Sequence, residues 1–135
     1  MTEIQIAYQG KLRCSATHVD SGATLLTDAP KDNMGNGESF SPTDLVATAL
    51  GSCMLTVMGI AAQRLEIDIS GATATVTKEM VAAPTRRIGR LAVTFRMPSH
   101  LTPEQRQKME NAAMTCPVHK SLHPDVQIPV SFKWD

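Results

Sequence analysis

Phe40-Ser41-Pro42-Thr43-Asp44-Leu45-Val46-Ala47-Thr48-Ala49-Leu50-Gly51-Ser52-Cys53 opens the stretch on which the fold turns, and no charge follows until after Ala62. Ser41 suits a helix cap, Pro42 the first helical position, and Asp44, three residues past the cap, a shortened capping-box partner. The helix should end near Gln63-Arg64. Its few polar residues, Thr48, Ser52 and Thr56, scatter around the cylinder, and a helix apolar all round is buried on most sides. A 135-residue chain has difficulty surrounding such a helix alone, so partial cover by a second subunit is expected. The length brushes that of a membrane span. Thr48, Gly51, Ser52, Thr56 and Gly59 weaken its hydrophobicity, however, and no second span exists, so a membrane is not expected.

Outward from this helix, Ile4 to Tyr8, Leu12 to Val19 and Ala23 to Thr27 read as three antiparallel strands, separated at Gln9-Gly10 and Asp20-Ser21-Gly22. Pro30 to Ser41, with Gly35 and Gly37, is turn and loop chemistry. On the other side, Ser70 to Lys78 and Ile88 to Met97 form a hairpin around Ala83-Pro84-Thr85. Pro98 ends it. Thr102-Pro103-Glu104-Gln105 repeats the helix-start pattern, with Thr102 as cap and Gln105 as box partner, for a helix running to about Thr115. Cys116-Pro117 forces a break, because a residue before proline is pushed out of the helical region. Ile128 to Trp134 reads as a last strand. The class is α+β, one domain over residues 1–135, with antiparallel sheet and two main helices.

Thirteen acidic and thirteen basic residues balance, which leaves no electrostatic footprint for nucleic acid. The start Met1-Thr2-Glu3-Ile4 has none of the marks of a secretory signal, so a cytoplasmic protein is expected. Three cysteines do not make a disulfide scaffold, and in a reducing compartment they rest as thiols unless they cycle. Only one pair can form.

Cys53 lies in mid-helix, without help from a helix dipole. A cysteine there is most often a small buried hydrophobe. Cys116 is better placed. If Pro117 opens a short turn, Cys116 caps it, and backbone N–H groups face its sulfur. Cys14, in a strand, reads as packing. A metal reading competes: Cys116-Pro117-Val118-His119 has Cys-x-x-His spacing, with Cys53, His123 or His18 as further ligands, but structural zinc ordinarily shows two close ligand pairs and only one is present. Gly35 and Gly37 lack the rest of a phosphate loop.

The run from Phe40 to Cys53, together with Cys116-Pro117-Val118-His119-Lys120-Ser121-Leu122, resembles the OsmC/Ohr family of thiol-dependent hydroperoxide reductases. The resemblance covers nearly the whole chain. It implies an OsmC-like fold, antiparallel sheets wrapped around central helices in an intertwined homodimer. It also implies that Cys53 is the peroxidatic residue, attacking a small organic hydroperoxide or hydrogen peroxide, and that Cys116 resolves the sulfenic acid as a disulfide. An external thiol or dithiol, of the lipoyl type in the family, restores the pair, and no bound cofactor or metal is implied.

Two departures stand out. The best-characterised members carry a glutamate ten residues before the peroxidatic cysteine, where this chain has Thr43, with Asp44 rotated by about 100° from it. They also use an arginine ahead of the central helix to stabilise the thiolate. Here Arg13 is the only candidate on that side. A ligand-binding or sensing member of the fold with little peroxidase activity is therefore the alternative, supported by Met54, Met58, Met109 and Met114; a different thiol reaction on an electrophile is the third.

Overall fold

The computed structural model describes residues 1–135, which divide into two compact units, Met1–Val46 and Ala47–Asp135.

In the first unit, β1 (Ile4–Gly10), β2 (Arg13–His18) and β3 (Thr24–Asp28) form an antiparallel sheet in that order. Gly10, Lys11 and Leu12 all take positive φ, so Leu12 belongs to the turn and β2 begins one residue later than the alternation suggests. Glycine reaches this region at no steric cost, whereas Leu12 does so held by the Tyr8 hydroxyl, which accepts from its N–H. Along β1, Ile4, Ile6 and Tyr8 point to one side and all three are exposed.

The helix α1 (Pro42–Arg64) starts as its sequence dictates. Ser41 Oγ accepts from Asp44 N at 3.1 Å and Asp44 Oδ2 accepts from Ser41 N at 2.9 Å, a reciprocal box built with the shorter acid. At its other end Glu66 adopts φ 56°, and Ile67 N reaches back to Ala62 O. This is the left-handed closure that glycine usually supplies. One chain buries only one side of α1, and cover for the remaining sides does not come from this chain. Ala47, Leu50, Gly51, Met54, Met58 and Ala62 form one buried stripe, while Ala49, Ser52, Thr56 and Ile60 on the other face are exposed. The helix is long and apolar enough by composition to cross a membrane.

The second unit carries β4 (Thr73–Val81), β5 (Arg87–Met97) and β6 (Val130–Trp134), with β4 and β5 paired antiparallel as expected. β6 pairs parallel to β5, so this sheet is mixed where the sequence reading has it wholly antiparallel. The reason lies in the connection: α2 (Pro103–Ala113) and α3 (Pro117–Ser121) intervene, and a crossover of that length returns the chain to the same end of the sheet. Leu91, Val93, Phe95 and Met97 form the buried face of β5, with Phe132 stacked on Phe95 at 5.0 Å. Against this sheet α1 comes so close that a Cβ on Gly51 would lie 2.8 Å from Val76 Cγ2. The small residue two places before Cys53 is thus what lets that part of the helix lie on β4. Thr102 caps α2 with Gln105 in the complete box, and Met109 and Ala113 bury its inner side.

Candidate active site

Both candidate cysteines belong to the second unit, and the fold brings them together. Cys53 is half-buried on α1, one residue before the fully buried Met54. Cys116 is 0% exposed and sits where α2 ends and α3 begins. Its N–H turns back to Ala113 O, and its Sγ accepts from His119 N at 3.4 Å as the cap of α3. Pro117 occupies the first position of that turn. The Cys53 side chain is a hydrogen-bonding neighbour of the Cys116 thiol, and both cysteines are free.

The cap geometry agrees with the sequence, but its electrostatic outcome does not. Burial pushes the Cys116 thiol above its ordinary range, and the neighbouring Cys53 pushes the same way. The backbone N–H groups of His119 and Val118 pull it down without cancelling this. A five-residue turn has little dipole to set against complete desolvation. The balance leaves the Cys116 thiol above its ordinary range. No cation contributes to that balance.

The remaining candidates disperse. His119 is half-buried, while His123 is exposed, its Nδ1 accepting from Asp125 N. No three metal-ligating side chains converge anywhere in the chain, so Cys116 and His119 gain no further ligands. Cys14 lies half-buried in β2, opposite Tyr8 and Thr27 in the first unit. Asp44 is engaged in the α1 cap.

Arg13 shows a feature that the sequence reading missed. Its Nη2 donates to Glu38 Oε2 and lies 3.7 Å from Asp28 Oδ2. The hydrogen bond to Glu38, then the charge of Asp28, raises the Arg13 pKa further above its ordinary value. Asp28 is only 1% exposed and also accepts from Glu38 N at 3.0 Å. Its one sequence signal was a carboxylate closing the run Ala23 to Thr27.

Residues 35–131 match the OsmC-like protein family, and the chain belongs to that family. A crystal structure from Psychrobacter arcticus 273-4, provisionally assigned as an osmotic stress induced and detoxification response protein, is 49% identical, with 98% of this chain and 96% of that one covered and a TM-score of 0.92. An organic hydroperoxide resistance protein OsmC from Legionella pneumophila shares the fold at 17% identity, with coverage of 98% and 96% and a TM-score of 0.79. So does an organic hydroperoxide resistance protein from Elizabethkingia anophelis, at 14% identity, coverage of 100% and 96%, and a TM-score of 0.79. No curated protein matches the chain.

Proposed function

We propose that this OsmC-family chain is a thiol-dependent hydroperoxide reductase in which Cys53 is peroxidatic and Cys116 resolving. The observation that carries the reading is the meeting of the two thiols, one half-buried and one sealed. Cys53 as thiolate attacks the terminal peroxide oxygen. The O–O bond breaks, the alkoxide takes a proton and leaves as alcohol, and Cys53 becomes a sulfenic acid. Cys116 then attacks the Cys53 sulfur, a disulfide forms, and water departs. An external dithiol, of the lipoyl type, reduces the disulfide by exchange and is itself oxidised to a disulfide. The reaction needs no resident cofactor or metal.

The working form in this reading is a cytoplasmic homodimer. Its support is apolar surface that one chain leaves open: Ile4, Ile6 and Tyr8 on one side of β1, and Ile60 on the outer face of α1. Large apolar side chains left open on one side of a strand and on the outer face of a helix mark surfaces that a partner covers.

One equivalent of cumene hydroperoxide added to the reduced protein tests the reading, with peptide mapping beside Cys53→Ser and Cys116→Ser. Fast formation of a Cys53–Cys116 disulfide, absent from both variants, supports it. Slow, scattered oxidation that Cys53→Ser leaves unchanged overturns it in favour of a ligand-binding member of the fold.

A further inference from the structure

The first unit holds a polar cluster around Arg13. Arg13, Asp28 and Glu38, with Gln9, Leu26 and Ser39, line a half-open cavity of about 290 Å³. A guanidinium has five N–H donors, yet both partners of Arg13 approach through Nη2 alone. Its Nε is buried and meets no acceptor, and Asp28 Oδ1 is buried and meets no donor.

Nε and Nη2 share one edge of the guanidinium, the edge that takes both oxygens of a carboxylate in a forked pair. Glu38 fills only half of it, with a single oxygen. Its backbone N–H is tied to Asp28 Oδ2, which fixes the point from which its side chain must reach. We propose that this edge is a binding site for a small carboxylate with a short apolar tail, which displaces Glu38, takes Nε and Nη2 with both oxygens, and rests its tail on Leu26. Asp28 stays on the guanidinium and keeps it aimed.

The exchange is favourable for three reasons. Glu38 is exposed over 61% of its side chain, so withdrawing it into water breaks only a weak surface pair. The incoming carboxylate supplies an acceptor to a buried N–H that otherwise has none. One carboxylate replaces another on Arg13, so the charge against the guanidinium is unchanged. The inference stands on residues of the first unit alone, and its test reads Arg13 and not the thiols.

The test is a titration of the full-length, ¹⁵N-labelled protein with butanoate, following the Arg13 Nε–H resonance. Wild type should show a saturable shift, Glu38→Gln should bind more tightly by up to about fivefold, the worth of one exposed ion pair, and Arg13→Lys should lose the site because an ammonium has no fork. Butanamide and sulfate are the controls. An absent shift in both wild type and Glu38→Gln overturns the proposal. So does equal binding of butanamide, which would mean a hydrogen-bonding cavity filled by any donor–acceptor, water included. Equal binding of sulfate, or no tightening in Glu38→Gln, likewise overturns it.

Discussion

The two polar centres of this chain are built on opposite principles. In the first unit, Arg13, Asp28 and Glu38 put three formal charges together at the end of a sheet, and the ion pair that an outsider can reach is the exposed one. In the second, Cys53 and Cys116 meet with no ion in the Cys116 balance, and burial holds the Cys116 thiol above its ordinary range. Charge positions the first centre, and desolvation tunes the second. The comparison teaches that burial can raise a thiol with no charged neighbour involved, where in the other unit a charged neighbour does the raising.

The largest expected effect separates the centres by activity. Cys53→Ser should lose peroxide reduction by roughly 10³-fold or more, as removal of a nucleophile does, measured as cumene hydroperoxide consumption with a dithiol. Cys116→Ser should keep one turnover, leaving a dimedone-reactive sulfenic acid on Cys53, and lose the rest. If Cys116→Ser cycled normally with the same dithiol, the pair would not be a functional unit.

Next in size is a stability effect confined to the charged centre. Asp28→Ala removes the buried acceptor of Glu38 N and strips Arg13 of its inner partner. It should cost about 1–3 kcal/mol, the usual price of an orphaned buried polar group, in urea denaturation, with Asp28→Asn losing less.

A smaller effect belongs to the thiols. The Cys116 pKa is raised in the fold above the ordinary value of 9.0. Its contribution to stability is therefore complete below that value and is lost as pH rises through the folded-state pKa, because the unfolded thiol gives up its proton first. Denaturation midpoints should fall at alkaline pH in wild type and fall less in Cys116→Ser. Parallel curves for the two proteins would show that burial does not raise the Cys116 thiol. Smallest of all, Glu38→Gln should leave the unfolding midpoint essentially unmoved, since an exposed ion pair contributes little. A clear loss would mean that Glu38 holds the loop before α1 and does more than cover Arg13.

Much of this architecture is legible along the chain. Ser41 with Asp44, and Thr102 with Gln105, announce their helices because a cap is satisfied within three residues and needs nothing distant. The same locality makes Cys116 readable as a cap before Pro117. Glu66 was not readable, since its left-handed closure sits where a glycine would ordinarily advertise it. Nor was the direction of β6, which depends on the path of two intervening helices. Asp28 stands just past the run Ala23 to Thr27 with no local mark of burial, and only packing put it beside Arg13 and away from water.

By itself the sequence determined where the helices start, where the strands alternate, and which two cysteines stand in helical settings, because these follow from hydrogen bonds and side-chain periodicities a few residues long. Only the tertiary structure decided that α1 buries a single stripe within the chain, that Cys53 and Cys116 meet, and that burial raises the Cys116 thiol despite its cap. Those outcomes depend on burial and on approach between residues far apart in the chain. Neither quantity exists until the chain has folded.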